Sequence, residues 1–152
     1  MLKPGDRVPE AEGTGPDGKP LQLRDLWGKG PVVMFFYPKD FTMVCTREAC
    51  LFRDIYAELA EGGADVVGVS RDDGESHERF RSEHRLPYRL LSDPDQKLAK
   101  AFGIARPLGL PPMRVTFVVD AGGVVRGAFH HELMADRHVA DVRKALAALK
   151  PV

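Results

Sequence analysis

Two cysteines in 152 residues are too few for a disulfide-stapled scaffold, and a chain of this length buries enough apolar surface to fold without one. Neither charge is in excess, because Lys plus Arg and Asp plus Glu both number 22. That balance removes the electrostatic drive toward nucleic acid or an anionic membrane surface and leaves small molecules or other proteins as partners. No apolar run approaches the roughly 20 residues that span a bilayer. The opening Met1-Leu2-Lys3-Pro4-Gly5-Asp6 lacks the apolar core of a signal peptide. Internal repeats, low-complexity tracts and linkers beyond the Gly/Pro-rich opening are also missing. The expectation is one soluble domain over residues 1–152, in the reducing cytoplasm. There, a pair of cysteines points to catalysis, redox sensing or metal binding rather than to a structural bridge.

What is present is an alternation of buried strands and amphipathic helices. Pro16-Asp17-Gly18 is a turn signal between short extended pieces, one of them Leu21-Gln22-Leu23. The run Val32-Val33-Met34-Phe35-Phe36-Tyr37, stopped by Pro38, suits a central strand covered on both faces. Phe52, Ile55, Tyr56 and Leu59 recur at helical spacing up to Gly62-Gly63, and a second buried strand spans Val66 to Ser70. A helix carrying His77, Phe80 and His84 ends before Leu86-Pro87, and a short strand follows near Tyr88 to Leu91. Ser92-Asp93-Pro94 reads as a cap with proline just inside, opening a helix that buries Leu98, Ala101 and Phe102. Val115 to Asp120 and Val124 to Phe129 flank Ala121-Gly122-Gly123 as a hairpin, and a last helix buries Val139, Val142, Leu146 and Leu149. This order predicts an α/β fold: a mixed sheet with parallel central strands and helices on both faces.

The chemistry concentrates between Tyr37 and Cys50, where a buried strand runs into an amphipathic helix. Cys45 falls in the first turn of that helix, where unpaired backbone N–H groups and the positive end of the macrodipole favour thiolate over thiol. An ordinary cysteine is already a few per cent thiolate at neutral pH, so complete ionisation gains only about thirtyfold in rate. Any larger acceleration must come from donors that stabilise charge on the atom leaving as sulfur attacks.

The spacing Pro38-x-x-x-Thr42-x-x-Cys45 resembles the active-site motif of the peroxiredoxins, and the likeness extends over nearly the whole chain. Cys50, five residues on, and Arg114 leading Val115-Thr116-Phe117 look like the bacterioferritin-comigratory, or Q-type, branch. The resemblance implies a thioredoxin-like fold with an N-terminal β-hairpin extension and a thiol-dependent hydroperoxide reductase without metal or organic cofactor. Pro38 would shield the thiolate, the Thr42 hydroxyl and the Cys45 amide would orient the peroxide, and Arg114 would hold the thiolate charged and polarise the O–O bond. Cys50 would resolve the oxidised Cys45 as an intrachain disulfide, reduced in turn by thioredoxin or a similar dithiol. In a regular helix the two Cα atoms lie about 8.6 Å apart. A disulfide tolerates roughly 7 Å, so the first helical turns must unwind for it to close. The sequence departs from the branch at Met43-Val44, where Pro-Gly is usual; neither side chain adds or removes a reactive group.

Plainer readings stand beside these. A buried cysteine is often only a small apolar residue, and C-x4-C lacks the partner ligands of a zinc site. His130-His131-Glu132 reads as a solvated strand end, His77 as a core-edge histidine with one satisfied nitrogen, and Lys39, Asp40 and Arg47 as solvated loop and helix start. Trp27 reads as packing. The plainer reading of Arg114 is a salt bridge, for instance with Glu48, and it is compatible with a role at the sulfur. The competing functions are a thiol-disulfide oxidoreductase, disfavoured because that chemistry uses Cys-x-x-Cys, and a redox sensor or holdase that reacts once. The expected assembly is a monomer or weak homodimer with its edge at Phe41 to Val44 and Ala105 to Pro112.

Overall fold

The computed structural model describes residues 1–149, so the last three positions of the expected domain, 150–152, lie outside the described residues. The chain opens with a β-hairpin, β1 (Glu12–Thr14) and β2 (Pro20–Gln22), closed by Gly15 N–H donating to Lys19 O at 2.9 Å. The apolar run forms β3 (Val32–Phe36), whose residues are all buried, and a 19-residue helix α1 (Met43–Glu61) leads to β4 (Asp65–Ser70). Helix α2 (Gly74–His84) connects to β5 (Arg89–Ser92), followed by α3 (Lys97–Ala101). The hairpin β6 (Val115–Val119) and β7 (Val125–His130) and the final α4 (Ala135–Leu149) complete the fold.

The seven strands form one sheet in the order β2-β1-β5-β4-β3-β6-β7. The β3–β4 and β4–β5 pairs are parallel, each joined by a helical crossover, and the flanking pairs are antiparallel. This is the expected mixed α/β sheet. Strand periodicity divides the core in two. Val33, Phe35 and Tyr37 point to one face, under residues of α1, α2 and α4, while Val32, Met34 and Phe36 point to the other, under Leu98 and Phe102 of the α3 region. Gly68 makes the first face possible: a Cβ there would lie 2.8 Å from both Phe35 and Leu90, and Phe35 uses the space to stack on Phe52 at 4.9 Å.

Three expectations are corrected: Leu23 is not extended but opens a 3-10 turn after β2, Leu149 is half-buried rather than buried, and the start of α3 moves. Ser92 does not cap a helix but ends β5, paired with Ser70 on one side and Thr14 on the other, which keeps the chain extended there. The helix begins only at Lys97, and Pro94 lies in the turn before it rather than inside it. Asp93 still caps it from a distance, its two carboxylate oxygens accepting the Leu98 and Ala99 amides at 3.0 Å each. Ala99 takes the buried position expected of Ala101.

Candidate active site

Strand register assembles the site. Phe36, the last residue of β3, pairs with Val115, the first of β6, and Val115 pairs with His130, the last of β7. Three connections therefore meet at one end of the sheet: the loop from Tyr37 into α1, the segment ending at Arg114, and the segment after His130. Cys45 is the third residue of α1 and completely buried. The Thr46 amide closes the first turn onto Thr42 O at 2.8 Å, so the Cys45 amide belongs to the unpaired set at the helix start.

Arg114 reaches into this corner, 4% exposed, and divides its donors three ways. Nη2 donates to Cys45 Sγ at 3.1 Å, Nη1 to Glu48 Oε1 at 3.1 Å, and Nε to Glu132 O at 2.9 Å. Glu48 lies one helical turn beyond Cys45 on the same face of α1, which is why one guanidinium touches both. The expected Arg114–Glu48 pair is thus present, completely buried on the carboxylate side. Burial pushes Glu48 up to about 8, against the pull of Arg114. Its second oxygen, Oε2, finds no hydrogen-bond partner among the described residues; His138 Nε2 lies 3.4 Å from it. That nitrogen is engaged elsewhere. It lies 2.7 Å from His131 O, which can only accept, while Nδ1 faces the Thr116 hydroxyl at 2.8 Å. Nε2 therefore carries hydrogen, and burial, which lowers the ring's pKa to about 4, keeps it neutral with Nδ1 accepting from Thr116.

The other expected site residues take separate positions. Thr42 is the residue before α1, exposed, its hydroxyl donating to Lys39 O at 2.9 Å. Pro38 is half-buried just past β3. Cys50 is half-buried further along α1, and both thiols are free. His130 and His131 pair with Glu132 and Asp141 respectively, on a partly exposed rim.

Two readings of the sequence are corrected. Asp40 is not solvated but 3% exposed: Tyr37 Oη–H donates to its Oδ1 at 2.6 Å, and Ser76 Oγ–H and His77 Nδ1 reach its Oδ2 at 2.9 and 2.8 Å. His77 satisfies both nitrogens rather than one, since Nε2 lies 3.0 Å from Leu91 O. The turn after β3 folds Asp40 back over the sheet toward the start of α2, a tertiary contact with no local signature. His138 carries one sequence signal, its place three residues after buried Ala135 and four before buried Val142, which sets a polar side chain within the apolar stripe of α4.

A buried sulfur at a helix start, touched by a guanidinium and drawing on no other reactive side chain, is suited to nucleophilic thiol redox chemistry. Carried after the central strand of this mixed sheet, it defines a thioredoxin-like fold with a thiol redox site. The sequence profile of the AhpC/TSA family matches residues 4–128. The chain belongs to that family. Among relatives, the chloroplastic peroxiredoxin Q of Suaeda salsa is 42% identical over 134 residues, covering 88% of this chain but only 62% of that protein's length. The structure of the peroxidoxin BcpB from Mycobacterium tuberculosis superposes with a TM-score of 0.93 at 38% identity, over 99% of this chain and 100% of that one. A bacterioferritin comigratory protein of Xanthomonas campestris, described for its alkyl peroxide reduction activity, superposes with a TM-score of 0.83 at 30% identity, over 95% and 100% of the two chains. The Q-type resemblance read from Cys50 and Arg114 agrees with these relatives. No helix among the described residues is long and apolar enough to cross a membrane.

Proposed function

We propose that this chain is a thiol-dependent hydroperoxide reductase, carried by one domain over residues 1–152, in which Cys45 attacks the peroxide and Cys50 resolves the product. The observation that carries the reading is the 3.1 Å contact between Arg114 Nη2 and Cys45 Sγ. A permanently charged donor at that distance stabilises the thiolate and stands beside the oxygen on which charge accumulates.

The Cys45 thiolate attacks the terminal oxygen of ROOH; an S–O bond forms as the O–O bond breaks, and the departing alkoxide takes up the proton that the thiol gave up. The products are Cys45 sulfenic acid and an alcohol. After the start of α1 unwinds, the Cys50 thiol displaces water from the sulfenic acid and closes a disulfide, which thioredoxin or a similar dithiol reduces by exchange. Pro38 limits access of bulk water, and Thr42 with the Cys45 amide orients the peroxide. The cycle needs only thiols and no cofactor. Exposed Phe41 and Met43 lie four and two residues before Cys45, and exposed Leu108 lies in the segment that leads to Arg114; this apolar surface favours organic hydroperoxides as substrates. The assembly is a monomer or weak homodimer. Two cysteines, too few for a disulfide scaffold, suit a reducing cytoplasm.

Mass spectrometry after one equivalent of peroxide tests this. The parent is expected to lose two hydrogens, Cys50→Ser to hold a trappable sulfenic acid on Cys45, and Cys45→Ser to consume no peroxide. Undiminished consumption by Cys45→Ser refutes the reading.

A further inference from the structure

The turn between β3 and α1 contains a second buried constellation that the peroxidase reading leaves without a task. The Asp40 carboxylate receives the Tyr37 and Ser76 hydroxyls and meets His77 Nδ1. The Asp40 amide donates to Asp72 Oδ2 at 2.8 Å, and the Ser70 hydroxyl donates to the same oxygen at 2.5 Å. Asp40, Asp72 and His77 each present a ligand-type atom within 4.8 Å of the others, the arrangement of a potential cation site. Those atoms already have protein donors, so the cluster is internally satisfied.

A proton count shows what joins it. His77 Nε2 faces the Leu91 carbonyl, which only accepts, so Nε2 carries hydrogen. Nδ1 faces a carboxylate oxygen at 2.8 Å, a distance at which two acceptors would repel. One more proton must lie between them. That proton joins ring and carboxylate in a buried hydrogen bond, beside the two hydroxyls that already converge on Asp40. Burial together with the Asp40 charge keeps the Tyr37 phenol protonated, so it remains a donor.

The position of this pair gives it a consequence. Asp40 is followed by Phe41, a non-glycine residue at φ 65°, and then by Thr42 at the start of α1. A side chain in the left-handed region is strained and persists where its surroundings enforce it. Asp40 holds the backbone on one side of Phe41, while its ring packs against Phe80 at 5.2 Å with Arg79 5.8 Å over its face. The Thr42 backbone is thus set from the upstream side.

Resting on the peroxidase reading, we infer that Asp40 and His77 form a buried hydrogen-bonded staple that fixes the Pro38–Thr42 half of the active-site turn, confining the unwinding that joins Cys45 to Cys50 to α1. His77 is a positioning residue: it acts through Asp40 and touches neither peroxide nor sulfur. The half of the site that orients substrate stays assembled through the cycle, ready when the disulfide is reduced.

Three measurements test this. In the reduced parent, the imidazole nitrogen–proton correlation spectrum is expected to show a proton on His77 Nε2 and a hydrogen bond at Nδ1. Amide exchange is expected to find the Asp40 amide protected in reduced and disulfide forms alike, with residues 43–50 losing protection only in the latter. Asp40→Ala and His77→Ala are expected to slow the reaction with tert-butyl hydroperoxide on the order of tenfold to a hundredfold. Alkylation of Cys45 by iodoacetamide should stay within about twofold in both, because Arg114 and the helix start are untouched. Asp40→Asn, whose amide can donate to a neutral His77 Nδ1, should recover most of the peroxide rate; a general loss of folding would depress alkylation and peroxide reactivity together. Parent-like peroxide rates in both alanine variants, an Nδ1 without a hydrogen bond, or loss of Asp40 amide protection on oxidation overturns the staple. If the parent consumes no peroxide, the functional reading fails, while the spectrum and the reduced-state exchange still decide on the staple.

Discussion

The chain buries two carboxylate–histidine pairs close to Cys45 and resolves them in opposite ways. Five residues before the sulfur, Asp40 is surrounded by hydroxyl donors and sits 2.8 Å from a histidine whose second nitrogen is committed to a carbonyl. Three residues after it, Glu48 shares a guanidinium with the sulfur, leaves one oxygen without a partner, and stands 3.4 Å from a histidine that holds no spare proton. Donor supply accounts for the difference. Asp40 has a partner for each oxygen and serves as an anchor. Glu48 has one good donor, Arg114, and that donor is shared; a protonated Glu48 leaves the arginine's charge to Cys45, whereas an ionised Glu48 competes for it.

The sharpest way to break this contrast is to follow stability against pH. Glu48 binds its proton more tightly in the folded protein, with a pKa of about 8 against an ordinary 4.5, because burial penalises the carboxylate. The associated stability is complete below pH 4.5 and is lost as the pH rises through about 8, because the unfolded state binds fewer protons over that interval. The full displacement corresponds to at most about 5 kcal/mol. Denaturant unfolding of the parent should show this decline, and Glu48→Gln, which keeps an acceptor for Arg114, should remove it. The same decline surviving in Glu48→Gln would assign it to another group.

Next in size is Arg114→Met, which leaves sulfur and helix in place but removes the shared cation. Losing one charge-stabilising donor costs on the order of 10²–10³ in rate. The peroxide reaction of Cys45 should slow by that factor in stopped-flow measurements, far more than in the Asp40 variants. Equal losses on the two sides would erase the distinction between a group that touches the reacting sulfur and one that positions the turn.

The fold was largely legible in the sequence because its signals are local: the uninterrupted apolar run of β3, the 3.6-residue stripes of α1 and α4, and the Ala121-Gly122-Gly123 turn each announce an element by themselves. Even there, Ser92-Asp93-Pro94 misled, since strand pairing to Ser70 and Thr14 outweighed a good capping signal. Cys45 and Arg114 could be named, and Glu48 guessed as a partner, because the motif carries them. Asp40 could not be read correctly. An acidic residue in a loop is solvated unless a distant element brings donors to it, and Ser76 and His77 lie more than thirty positions away. His138 left a fainter trace, a polar side chain at an apolar phase of a helix, and its meaning depends on Thr116 and His131 arriving from β6 and the segment after β7.

That histidine supplies the smallest of the expected effects and the one that closes the contrast. Burial lowers His138 to about 4 from 6.5, so the unfolded chain takes up a proton that the folded protein refuses. Its contribution is complete above pH 6.5 and is lost as the pH falls toward about 4, the reverse of Glu48 and worth at most about 3 kcal/mol. Between pH 4.5 and 6.5 the two slopes oppose one another, so the parent should be nearly flat there and decline only on the alkaline side. His138→Gln keeps a donor for His131 O but does not titrate, and it should uncover the Glu48 slope down to pH 4.5. If the variant's stability profile overlays the parent's through that interval, the second pair is not the counterweight to the first carboxylate that its geometry implies.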